Sequence, residues 1–257
     1  MSTILQIVYF LKELGVEYRL LKEAACDLVD ENAALYSEMN KRDSFCIRKD
    51  EMLYCTNDRM NPAGQLGPYM WQDLWAAKHI YKRKPFIHYD IGSRIDGFIT
   101  HLMLWGQNVK MIDIRPMKNL EGIDFIQADA TNLTGLEDNS IDSLSALCSL
   151  EHFGLGRYGD SIDPEGCFKA FDAIERKMKC GGEILIAVPV GREHVEFNAH
   201  RIFNAQTVIE SFKKCELLEY SAALEDRVEY NIDIHKYDQI PERGSGVFGL
   251  FRMRKND

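Results

Sequence analysis

Three acids stand at or near the ends of three successive apolar runs: Asp90 in His88-Tyr89-Asp90-Ile91-Gly92-Ser93, Asp113 in Met111-Ile112-Asp113-Ile114-Arg115, and Asp129 in Phe125-Ile126-Gln127-Ala128-Asp129-Ala130. A glycine directly after a buried strand, as at Gly92, lets a ligand approach backbone, and the helix start that follows favours polar or anionic groups. At the end of the next strand Asp113 offers the two acceptors that a ribose diol requires. Asp129 is placed to accept from an adenine amino group, with Ala128 and Ala130 leaving room beside the ring, although a helix cap before Leu133 is an equal structural role. The Gly-x-Gly-x-x-Gly spacing of dinucleotide enzymes is missing, which argues against nicotinamide chemistry.

A second group follows the fourth apolar run. Glu151-His152 sits at its carboxyl end, where open α/β sheets bind ligands, and Gly154, Gly156 and Gly159 then form a loop carrying Arg157, Tyr158 and Asp160. An imidazole there suits a general base, against the alternative of a structural Glu151–His152 hydrogen bond. Arg157, Tyr158 and Asp160 supply a charged donor, an aromatic platform and an acceptor, a mixture that binds a sugar or else pins the loop to its own helix. Past the fifth run, Glu193-His194-Val195-Glu196 and His200-Arg201 lack any recognised metal-ligand spacing. No metal is expected, and His200 and Arg201 are assigned to the acceptor site.

These residues need a sheet to carry them. Strands are expected at 86–91, 109–114, 124–128, 141–147 and 183–188, separated by helices, with further strands at 217–222 and 246–253. That alternation predicts an α/β fold with a doubly wound, mostly parallel sheet. Asp163-Pro164-Glu165 starts a helix whose Phe168, Phe171, Ile174 and Met178 face the sheet, and Gly181-Gly182 ends it. Apolar residues at helical spacing, Ile4 to Leu14 and Leu20 to about Met39, predict two N-terminal helices, and a hairpin is expected around 45–54. Trp71, Leu74, Trp75 and Lys78 mark another helix, with Tyr69 able to reach the site rim. The chain thus divides into a helical cap, 1–84, and a sheet domain, 85–257.

The whole composition narrows the partners. The 257 residues are 46% hydrophobic and 28% charged, which excludes disorder, and 31 Lys plus Arg against 40 Asp plus Glu leave a charge of −9 that disfavours nucleic acid. Seven scattered cysteines without a Cys-x-x-Cys pair fit reduced thiols in a cytoplasm. The apolar stretch from Ile4 to Leu11 is too short to span a bilayer.

The ordered set Asp90-Ile91-Gly92, Asp113, Asp129, Asp142 to Glu151-His152, and Met178-Lys179-Cys180-Gly181-Gly182 resembles the class I S-adenosylmethionine-dependent methyltransferases. More narrowly, HYDIGSRIDGF, the MIDIRP strand end and SLEHFGLGRYGDSIDPEG are similar to a bacterial and nematode domain family of unknown function. Its bacterial members accompany surface-polysaccharide genes. The resemblance implies a Rossmann-like fold and S-adenosylmethionine as cofactor. Asp90, Gly92, Ser93 and Arg94 then form its glycine-rich loop, Asp113 with Ile114 contacts the ribose, and Asp129 with Ala130 the adenine. The chain departs from the pattern where Arg94 replaces the middle glycine and the last glycine falls one residue late, at Gly97. The function expected is O-methylation of a sugar or other small hydroxylated acceptor, free or carrier-linked; the alternative is a non-catalytic scaffold keeping the fold. The sequence leaves open whether the chain forms a homo-oligomer.

Overall fold

The computed structural model describes residues 18–42, 44, 46–53, 67–118, 120–197, 199–239 and 246–256. The chain divides into two compact units, Met1–Gln65 and Leu66–Asp257. In the first, helix α1 (Tyr18–Met39) forms as the apolar spacing requires, and Lys49–Glu51 makes a single 3₁₀ turn. The described part of the expected hairpin at 45–54 therefore contains this turn and no strand. The helix expected from Ile4 to Leu14 lies outside the described residues. No helix among the described residues is long and apolar enough to cross a membrane.

The second unit starts earlier than the composition suggested. Helix α2 (Pro68–Arg83) belongs to it, beginning on a proline at its first turn and ending on Lys84 in the left-handed conformation. The elements that follow are β1 (His88–Ile91), a π-helical turn (Ile95–Ile99) running into α3 (Thr100–Met103), β2 (Val109–Asp113), β3 (Ile123–Gln127) and β4 (Ile141–Leu147). After these come α4 (Gly166–Lys177), β5 (Met178–Pro189), β6 (His194–Glu196), β7 (His200–Ile202), α5 (Ala205–Ser211), β8 (Cys215–Ala223), β9 (Val228–Glu229) and β10 (Phe248–Lys255).

Eight strands form one sheet in the order β3-β2-β1-β4-β5-β10-β8-β9, with β1 to β5 parallel and β10, β8 and β9 antiparallel. Alternation along β5 explains the two-sided core. Ile184, Ile186 and Val188 join Phe171 and Ile174 of α4 and Val208 of α5, while Leu185 and Ala187 join Trp75 and Ile80 of α2 with Phe98 and Leu102. This is the expected doubly wound sheet. Two details differ. Helix α4 ends at Lys177, so Met178 to Gly182 already belong to β5, with a register shift between Ile141 and Ser143 of β4. The segment 194–202, where no strand is expected, is an antiparallel β6–β7 hairpin.

One polar contact anchors α2 to the far side of the sheet. Trp75 Nε1 donates to Glu219 Oε1 at 2.8 Å, His79 Nε2 lies 3.3 Å from Oε2, and Ser221 Oγ donates to Oε1 at 2.7 Å. Burial alone pushes the Glu219 carboxyl up, but these donors outweigh it and hold it at about 2. A depressed carboxyl contributes stability above its unfolded value and loses it as pH falls. Glu219→Gln is expected to cost about 2 kcal/mol at neutral pH. In thermal melts the gap to the wild type closes as pH falls from about 4.3, the unfolded value, towards about 2.

Candidate functional site

The turn after β1 is built on a buried polar chain. His88 is fully buried, with Nδ1 2.8 Å from Ser143 Oγ and Nε2 2.9 Å from Ser145 Oγ, and burial pushes the imidazole down to about 3, so it is neutral. Ser145 Oγ donates to Asp90 Oδ2, which also accepts from Ser93 Oγ at 2.8 Å, while Asp90 Oδ1 accepts from Ser93 N at 3.0 Å. Burial raises the Asp90 carboxyl to about 6 despite these donors. Asp90 therefore corrects one expectation: it lies behind the wall and shapes the loop without lining the cavity.

Above that turn a cavity of about 470 Å³ opens at the carboxyl ends of β1 to β4. Gly92 has φ +71°, and a Cβ there would stand 3.1 Å from Ser149 Cβ, so only glycine leaves this floor both relaxed and open. Ser93, Arg94, Asp113, Ile114, Asp129 and Ala130 line the cavity, as do His152, Arg157, Tyr158 and Asp160. Arg94 does not fill it. Its side chain is 74% exposed and paired bidentately with Asp96, Nε to Oδ1 at 3.0 Å and Nη2 to Oδ2 at 2.6 Å.

The strand-end acids differ in their commitments. Asp113 Oδ1 accepts from Arg115 N at 2.8 Å and Nε at 3.0 Å, and Oδ2 accepts from Nη2 at 2.7 Å. Burial pushes this carboxyl up, but the Arg115 donors outweigh it and keep it below the usual range. Asp129 Oδ1 accepts from Thr131 N and Oγ1 within a turn, where the expected helix before Leu133 does not form, while Oδ2 has no hydrogen bond among the described residues.

His152 closes the other end. Its Nδ1 is 2.7 Å from the Ala199 carbonyl, which only accepts, and 3.2 Å from Arg157 Nη1, which donates to that same carbonyl at 2.8 Å; the shorter contact assigns the proton to Nδ1 and leaves Nε2 its lone pair. Nε2 lies 3.5 Å from Glu151 Oε1. Burial pushes His152 down to about 4 and Glu151 up to about 8, so both are neutral near pH 7. Glu151 is buried outside the cavity wall, with Oε2 lacking any hydrogen bond among the described residues.

The acceptor-side residues divide likewise. Arg157 Nη1 donates to the Ala199 carbonyl at 2.8 Å, and the Arg157 and Arg115 guanidinium groups lie 5.2 and 4.6 Å from the Tyr158 ring centre. Asp160 lines the cavity, yet it is occupied in holding its own loop through the backbone N–H groups of Gly154, Gly156 and Tyr158. Arg201 donates to the carbonyls of Glu151, Phe153 and Pro164, so its guanidinium braces the loop and does not reach the cavity. His200 also lies outside the wall, its Nε2 3.1 Å from Glu196 Oε2 and its ring 6.2 Å from that of His152. Among the described residues no cluster of His, Cys, Asp and Glu is arranged to hold a metal ion.

Helix α2 contributes what the sequence reading missed. Alongside Tyr69, expected at the rim, Gln72 and Asp73 line the cavity, with Gln72 in contact with Cys148. Their signal was present: two polar residues occupy the helical stripe that continues as Ala76, Ala77 and Ile80, all buried.

A family model described as "Caenorhabditis protein of unknown function, DUF268" matches residues 110–243. No curated protein matches the chain. Among solved structures, the 1,6-didemethyltoxoflavin-N1-methyltransferase of Burkholderia thailandensis, with bound 1,6-didemethyltoxoflavin and S-adenosylhomocysteine, is 13% identical at a TM-score of 0.50 over 73% of this chain and 80% of its own. The N-methyltransferase NodS of Bradyrhizobium japonicum, in complex with S-adenosyl-L-homocysteine, is 14% identical at 0.50 over 72% and 85%. At these identities the likeness is one of fold.

Proposed function

The chain belongs to the DUF268 family, and from that premise and the cavity's layout we propose that it is an S-adenosylmethionine-dependent methyltransferase acting on a hydroxyl of a small acceptor. The observation that carries this reading is the spatial order of Asp129, Asp113 and Gly92 along the ends of β3, β2 and β1, around one cavity. Asp129 would hold the amino group of an adenosine bound there, and Asp113 its ribose. The bare floor at Gly92 fits the close approach of the sulfur end. Asp113 Oδ2 has a free lone pair for one ribose hydroxyl, and a second requires the half-exposed Arg115 to yield its Nε contact on Oδ1.

When bound, the cofactor supplies an electrophilic methyl group. The protein supplies placement, exclusion of water and a proton acceptor. Neutral His152, oriented by the Ala199 carbonyl, offers Nε2 to the acceptor's proton. A base held near 4 is weak, but it suffices here, because a hydroxyl oxygen becomes strongly acidic as it bonds to carbon. Tyr158, flanked by two guanidinium groups, provides a platform for a sugar ring. The acceptor we favour is a free or carrier-linked sugar of surface-polysaccharide synthesis, modified in the cytoplasm. Incubation with S-adenosylmethionine and a panel of such sugars, read by mass spectrometry, tests this. A product one methylene heavier supports the reading, and cofactor binding without methylation of any hydroxylated acceptor overturns it.

A further inference from the structure

The cavity has an end that the nucleoside does not use. With adenine at β3 and ribose at β2, the strand order β3-β2-β1-β4 places the rest of the cofactor across β1 towards β4. There α2 contributes Gln72 and Asp73 to the wall, beside Cys148 at the end of β4.

Asp73 is only 9% exposed, yet among the described residues it has no ion pair and one hydrogen bond, from Gln72 Nε2 to Oδ1 at 3.2 Å. Gln72 is itself oriented, because its Oε1 accepts from Cys148 Sγ at 3.1 Å, leaving its amide nitrogen to Asp73. Oδ2 accepts no hydrogen bond and lies against Gly97, where a Cβ would stand 2.5 Å from it. The glycine displaced by one residue from the family spacing is thus the one that makes room for this carboxylate. The two acids that bear on it are engaged: Asp90 holds Ser93 and Ser145, and Asp96 holds Arg94. Burial and the proximity of Asp90 push Asp73 up to about 7, a carboxyl lacking a buried cation of its own.

Resting on the methyltransferase reading above, we infer that Asp73 is the binding residue for the α-ammonium group of the cofactor's amino-acid end, accepting from it through Oδ2. The ligand brings the ion-pair partner that Asp73 lacks among the described residues. Its carboxylate is left to the solvent side, where Arg94 is exposed.

The test compares two ligands sharing adenosine and sulfur, S-adenosylhomocysteine and 5′-deoxy-5′-methylthioadenosine, the second without the amino-acid end. In calorimetric titrations Asp73→Asn is expected to weaken S-adenosylhomocysteine by about tenfold or more while leaving methylthioadenosine within about twofold. Gly97→Ala, whose Cβ displaces Oδ2 while Asp73 remains, gives the same selective loss if the first variant does not fold. Unchanged S-adenosylhomocysteine affinity, or an equal loss of both ligands, overturns the assignment while leaving the cofactor reading intact. Failure of the wild type to bind either ligand overturns the cofactor reading itself.

Discussion

Asp113→Ala is expected to weaken S-adenosylhomocysteine binding by about thirtyfold or more, without unfolding the protein. Hydrogen bonds to a carboxylate are worth about 1.5–3 kcal/mol each, and about 1.4 kcal/mol is a factor of ten in affinity. Two lost ribose contacts exceed that figure, and what offsets them is Arg115. Its guanidinium is held by Asp113 in the wild type and yields a contact when ligand arrives, so the variant no longer bears that cost. The strand itself survives, because Asp113 ends β2, whose pairing with β3 runs through backbone groups. Titration of the variant, with its far-ultraviolet circular dichroism as a fold control, checks both halves of the prediction.

His152→Ala is expected to lower turnover by about a hundredfold or more while changing S-adenosylhomocysteine affinity by less than about threefold, since general-base loss acts on the chemical step. The wild type adds a pH signature. His152 is pushed down to about 4 by burial, so its basic form persists on the acid side, and turnover falls only as pH drops through about 4. A histidine with an ordinary value near 6.5 places that limb more than two units higher. The rate of methyl transfer measured across pH separates the two, and the alanine variant loses this limb altogether.

How far the sequence carried these conclusions depends on how local each signal was. The strands β1 to β4 are short apolar runs ended by acids or glycine, and their burial on both faces keeps the pattern simple. That Gly92, Asp113 and Asp129 line one cavity was legible because the strand ends of a parallel sheet meet at one rim. The β6–β7 hairpin escaped the sequence because its strands are three residues each, too short to show an alternation. Arg201 was assigned to the acceptor because its charge is visible in sequence, whereas the three carbonyls that use it are 37 to 50 residues away. Asp90 was read as a ligand contact for the same reason, since Ser145, which fixes it, lies 55 residues on. The part played by α2 was hidden most deeply. Its helical period was plain, but its membership of the sheet unit rests on pairs such as Trp75 with Glu219, 144 residues apart.

The central claim is that the cavity over Gly92 binds an S-adenosyl cofactor. The measurement that reaches it most directly is a calorimetric titration of the wild-type protein with S-adenosylhomocysteine. The account predicts saturable binding at one site per chain in the micromolar range. The absence of binding heat at millimolar ligand, from protein shown to be folded, contradicts it.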